Sequence, residues 1–186
     1  MSTNSTKAAT AAGSRTRESL LDAGVAVAER HGLTGLSVNQ VVAEAGVAKG
    51  TFYVHFDDRN AFIDSIHERF YSHVLEAVTE ATAGLRPGAE WLVVGVEAYL
   101  DSCLSERGVK ALALEARSDP ALAASMAARY DRVAAITVPS FEAMDWPDPT
   151  AASHLLAAMT AEIAIRELDA GRRLPAARRS LQRFLA

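Results

Sequence analysis

The chain has 186 residues, 49% of them apolar and 23% charged, with 19 Lys and Arg against 23 Asp and Glu and a net charge of −4. An apolar share this high excludes global disorder, because enough surface can be buried to offset chain entropy, and the length suits one compact unit or two small ones on a shared core. The longest stretches without Asp, Glu, Lys or Arg, His31 to Ala43 and Pro149 to Ala161, are 13 residues each, short of the roughly 18 that a membrane-spanning helix needs. The N-terminus is polar and Ala/Ser/Thr-rich without an apolar core, so no secretory signal is expected. A single cysteine, Cys103, excludes an intramolecular disulfide framework and makes a cytoplasmic address the expectation.

Alanine occurs 37 times and the strand-favouring residues do not alternate, so intrinsic propensity predicts an all-α chain divided by Gly and Pro. Residues 1–14 read as a flexible tail. A first helix is expected from about Arg15 to Arg30, with Leu20, Leu21, Gly24, Val27 and Ala28 on one face and Gly32 as its left-handed end. Ser37 and Gln40 have capping-box spacing and open a short helix through Ala45 that buries Val41 and Val42. Gly46 breaks it, Val47 to His55 leaves room for a third short helix, and Asp57 or Asp58 caps a long fourth one, about Arg59 to Ala83. Beyond Gly84–Gly88, longer Ala-rich helices are expected at about Ala89–Glu106, Val109–Arg117, Pro120–Val138, Thr150–Ala170 and Pro175–Leu185, with Trp146–Pro149 as a loop.

Two short helices joined at Gly46-Val47-Ala48, with a longer helix before them, follow the plan of a helix-turn-helix, whose second helix enters the major groove. In the second helix Val47, Phe52 and Phe56 are apolar at helical spacing and should anchor a core, which leaves Lys49, Thr51, Tyr53 and His55 facing outward. These supply donors for phosphate, while Gly50 removes a side chain where backbone must approach DNA and Thr51 offers a hydroxyl and a methyl. Ser37 and the free N–H groups behind it suit a phosphate at a helix N-terminus. The same spacing also fits a small three-helix core with an ordinary polar surface. Residues 1–56 hold five basic groups against four acidic ones, a thin surplus that makes binding depend on paired half-sites and on salt.

The run from Thr34 to Phe56, and above all its Gly-Val-x-Lys-Gly-Thr-Phe-Tyr-x-His-Phe core, resembles the DNA-binding domain of TetR-family transcriptional regulators, over roughly Arg15 to Ile66. The resemblance implies an all-helical homodimer of about nine helices per chain. It divides the chain into a helix-turn-helix domain, 15–58, and an effector-binding and dimerisation domain, 59–186. It further implies phosphate and base contacts from Lys49, Thr51, Tyr53 and His55, with Ser37 on a phosphate. Arg59 stands where the family often has a phosphate-contacting lysine, and Arg15 is a further candidate for phosphate or minor groove. Two departures stand out: Ala48 replaces a usual capping Ser or Thr, and Asp57-Asp58 puts negative charge near the DNA-facing end.

In the second domain Trp91, Tyr99, Cys103, Met126 and Tyr130 lie among many Ala and Leu positions, a makeup shared by an apolar ligand cavity and by a filled helical core. Arg117 and His154 are candidates to orient an anionic ligand, or to pair with Glu115 or a loop. Leu155, Leu156, Met159 and Ile163 in one helix and Leu181 and Phe184 in the last give wide apolar faces, which a two-fold four-helix bundle would cover.

An enzyme is the rival class. His67-Glu68 starts a zinc-type His-Glu-x-x-His pattern, but position 71 is Tyr, His73 is out of register, and no Gly-rich phosphate loop or Gly-x-Ser-x-Gly elbow is present. No catalytic residue, metal or cofactor is therefore expected. The reading is a ligand-responsive regulator, most readily a repressor released from a pseudo-palindromic double-stranded operator by a small apolar or amphipathic effector. The alternative is a helical dimeric interaction module without DNA binding.

Overall fold

The computed structural model describes residues 3–109, 120 and 122–185, and every regular element among them is helical. Nine helices have both ends within these residues: α1 (Thr3–Gly35), α2 (Val38–Ala45), α3 (Lys49–His55), α4 (Arg59–Ala81), α5 (Ala89–Ser105), α6 (Ala123–Ala135), α7 (Val138–Ala143), α8 (Pro149–Ala170) and α9 (Pro175–Leu185). The helix expected at Val109–Arg117 lies, beyond Val109 itself, outside the described residues.

Helix α1 begins at Thr3, well before the expected Arg15, because nothing in the Ala-rich leader interrupts the ladder. It kinks where expected: Gly32 adopts φ 65°, and one further turn runs to Gly35. The Ser37–Gln40 capping box forms in full, Ser37 Oγ accepting from Gln40 N while the Gln40 side chain accepts from the Ser37 amide. Gly46, left-handed at φ 67°, ends α2, and its amide and that of Val47 return to the carbonyls of Ala43 and Val42. Ala48 opens α3 without a side-chain cap, and Asp58 caps α4 by accepting from Ala61 N at 2.8 Å.

One expected helix is two. Pro139 lacks the amide that would continue the α6 ladder, so α6 stops at Ala135 and α7 restarts with Pro139 in its first turn. Asp148 then caps α8 by accepting from Ala151 N.

The helices form two packed units sharing α4. In the first, α1 packs on α2 and α4 around Leu20, Leu21, Phe52, Phe56, Phe62 and Ile66. Gly24 sits where α1 and α4 touch, since a Cβ there would lie 2.5 Å from the Phe62 ring. In the second, α4, α5, α6 and α8 pack on one another, and α9 closes on α5 and α8. A buried ion network fixes that closure: Arg178 of α9 donates to both oxygens of the fully buried Glu167 of α8 and to Glu97 and Asp101 of α5.

Candidate functional site

The first candidate surface is α3. Phe52 is fully buried, 5.1 Å from the Phe62 ring, and Phe56 stacks edge-on to Phe62 at 4.8 Å, so the two phenylalanines pin α3 to α4. Arg17 of α1 lies over the outer face of Phe56, its guanidinium carbon 5.0 Å from the ring centre. With that side pinned, the opposite side faces out: Lys49 and Gly50 are exposed, Tyr53 is 51% and Val54 79% exposed, and Thr51 and His55 are half-buried. A Cβ on Gly50 would meet nothing within 4 Å, so its bare backbone faces open space. Ser37 and Arg15 are exposed as well. Val54 was not singled out from sequence, because a valine in an apolar-spaced helix reads as core until the direction of that face is known.

Arg59 departs from its expected role. Its Nε donates to Leu36 O at 2.6 Å and its Nη2 to Leu33 O. The Gly32 kink and the end of α1 leave these carbonyls without helical partners, and the part-buried guanidinium takes them up. Arg59 therefore ties the α1–α2 turn to α4, with those two donors committed. Of the paired acids, Asp58 is committed to its cap and Asp57 remains exposed.

The second candidate is a cavity between α4, α5, α6 and α8, with about 690 Å³ of empty space including its open mouth. Such a volume matches small-molecule sites. Trp91, Tyr99 and Tyr130 line it as expected, joined by Tyr71 and Val74 of α4 and Leu156 of α8. Burial pushes the Tyr99 hydroxyl well above the usual tyrosine range, with the Cys103 thiol and the hydroxyl of Tyr71 adding to the effect, so it stays protonated. Cys103 is buried but is not part of the lining. Nor is His154: it is turned to the surface of α8, with its ring nitrogens 2.9 Å from Thr150 O and 3.3 Å from Asp131 Oδ1. Arg117 and the side chain of Met126 lie outside the described residues.

The expected dimer face divides in two. Leu155 is 63% and Phe184 69% exposed, whereas Leu156, Ile163 and Leu181 are buried within the protomer and Met159 is half-buried. Leu156 belongs to the cavity wall one position away from Leu155, which is the ordinary consequence of a 100° step per helical residue.

Helix α6 serves both regions. Tyr130 and Val133 face the cavity, while Arg129 donates to Asp64 Oδ1 and O and to Glu68 Oε2 of α4. Ser125 and Arg132 add donors to the same two carboxylates. On the other side of α4, Arg69 donates to Glu18 and Asp22 of α1. These ties span more than 40 residues of sequence, so no local signal announces them. Among the described residues no cluster of His, Cys, Asp and Glu is arranged to hold a metal, and no helix is long and apolar enough to cross a membrane.

Residues 20–66 match the family model for bacterial regulatory proteins of the tetR family. An HTH-type transcriptional regulator of Bacillus subtilis, YvdT, is 38% identical over 61 residues, 33% of this chain and 31% of YvdT. The HTH-type transcriptional repressor NemR of Escherichia coli is 35% identical over 65 residues, 35% of this chain and 33% of NemR. The aligned segment thus spans about a third of these relatives. In fold the likeness runs further: the reduced form of NemR superposes with a TM-score of 0.74 at 20% identity, covering 92% of this chain and 97% of that one. A transcriptional regulator from Rhodococcus sp. Rha1 superposes with a TM-score of 0.77 at 22% identity, covering 91% and 93%. By its N-terminal domain and by its fold, the chain belongs with the tetR family of bacterial regulatory proteins.

Proposed function

We propose that the protein is a dimeric DNA-binding transcriptional regulator whose hold on its operator is loosened by a small molecule seated in the α4–α8 cavity. The observation that carries this reading is the division of α3, pinned by Phe52 and Phe56 on one side and presenting Lys49, Gly50, Tyr53 and Val54 on the other. A helix so divided can lie in a major groove: Lys49 reaches phosphate, Gly50 lets the backbone close in, and Thr51, Tyr53 and Val54 face base edges and thymine methyls. His55 stands at the edge of this face. Ser37 and Arg15 extend the phosphate contacts, the first at the start of α2 and the second on α1.

Pairing of α8 and α9 across a two-fold axis covers Leu155 and Phe184 and supplies the second α3 that a pseudo-palindrome requires. A ligand that binds better to a conformer with wrongly spaced recognition helices lowers operator affinity by that difference in binding. NemR, similar in its N-terminal third and in fold, is described as a repressor, which favours repression over activation.

Selection of bound duplexes from random DNA tests the reading. An enriched inverted repeat with half-sites about one helical turn apart, or a multiple of that, is expected; failure to enrich any motif contradicts it and favours an interaction module.

A further inference from the structure

The effector cavity has a chemical bias beyond its size. None of the described lining residues carries a charge, and four are aromatic: Tyr71, Trp91, Tyr99 and Tyr130. Most of the lining hydroxyls have already committed their protons. Thr137 donates to Ala134 O, Ser153 to Pro149 O, Thr160 to Leu156 O and Tyr130 to His154 O. Tyr99 shares a hydrogen bond with the thiol of Cys103. Once a hydroxyl has donated, what it has left to offer is its oxygen lone pairs. The nearest cations turn away from the space: Arg129 is spent on Asp64 and Glu68, and His154 faces Thr150 and Asp131.

A carboxylate or sulfonate entering this cavity loses its hydration and meets neither a cation nor a set of free donors, and the aromatic faces present it with negative charge density. A flat neutral ring stacks on those faces, and an N–H or O–H on it finds acceptors. We infer that the cavity selects uncharged aromatic molecules bearing a hydrogen-bond donor, of the aryl amine or phenol class, and rejects organic anions of the same size. The inference rests on the effector-cavity reading above but not on DNA binding.

The test uses two dyes with one ring skeleton, N-phenyl-1-naphthylamine and 8-anilinonaphthalene-1-sulfonate, which differ by the sulfonate. The full-length protein carries Trp146→Phe, so that Trp91 in the cavity wall is the sole tryptophan donor of excitation energy. The neutral amine should draw energy from Trp91 and bind at least about tenfold more tightly than the sulfonate. Ala157→Phe, which adds a ring to the wall, should weaken the amine; if that variant does not fold by circular dichroism, Tyr71→Trp at the opposite wall gives the same comparison. Equal or tighter binding of the sulfonate overturns the inference, and so does absence of energy transfer to either dye. Operator binding is measured separately, so loss of the regulator reading leaves the dye result standing, and the reverse.

Discussion

Arg129 of α6 donates to both the carboxylate and the backbone carbonyl of Asp64 in α4, at 3.1 and 3.0 Å, with only 9% of its side chain exposed. This pair joins the helix that walls the cavity to the helix that continues into the DNA-binding domain, and Arg69 continues the tie to Glu18 and Asp22 of α1. A displacement of α6 is therefore passed to α4 through hydrogen-bonded charges, with little slack between packed helices.

Replacing Arg129 with Met should leave Asp64 with a weaker set of partners. Asp64 keeps 35% of its side chain in solvent, so the loss should be moderate, about 1–3 kcal/mol in urea unfolding. The variant should also uncouple cavity occupation from operator release. An unchanged urea midpoint would show that the pair carries no load.

His67 gives the fold a pH dependence. It is fully buried in α4, and neither ring nitrogen has a hydrogen-bond partner. Burial, reinforced by Arg129 and opposed by Asp64, lowers its pKa from 6.5 to about 4. The unfolded chain thus binds a proton below pH 6.5 that the folded chain takes up only near pH 4, so this contribution is complete above 6.5 and lost as pH falls toward 4. His67 alone should make the protein about 2 kcal/mol less stable at pH 5 than at pH 7. His67→Phe should flatten the profile over that interval; a retained slope would assign it to another group.

Gly24→Ala probes the seam between α1 and α4. The added methyl would stand 2.5 Å from Phe62 Cζ and 2.9 Å from Ile66 Cδ1, both on fully buried side chains. Overpacking of this kind costs about 1–3 kcal/mol, and calorimetry should show a lowered midpoint. A neutral outcome would mean that the two helices separate freely at this point.

Neighbouring leucines on α8 should behave oppositely. Leu155→Glu combined with Phe184→Glu places charge on the exposed face and should yield folded monomers by sedimentation. Leu156→Glu places charge in the cavity wall, where the leucine is 2% exposed, and should destabilise the protomer itself. A surviving dimer in the first variant would remove α8–α9 as the interface.

What could be read from sequence was local. The Ser37–Gln40 box, the left-handed Gly46 and the Asp58 cap are set by residues within four positions of one another, and each forms as its spacing predicts. Phe52 and Phe56 are also legible, since a four-residue step fixes a common helix face. Facing toward or away from a neighbour is a tertiary property, and there the reading of α8 failed: Leu155 and Leu156 share a composition but not an environment. Arg59 was misread for the same reason, because the carbonyls it holds belong to residues 23 and 26 positions earlier. The cavity needed Tyr71, which sequence reasoning weighed only as a missing metal ligand.

The central claim is that the outward side of α3 reads DNA. Titration of a selected operator duplex with the dimer and with Lys49→Ala and Tyr53→Ala, in a mobility shift at fixed salt, tests it most directly. Each truncation should weaken binding by about 1–3 kcal/mol, roughly fivefold to a hundredfold, with the dimer intact by sedimentation. Undiminished affinity in both variants would contradict the claim.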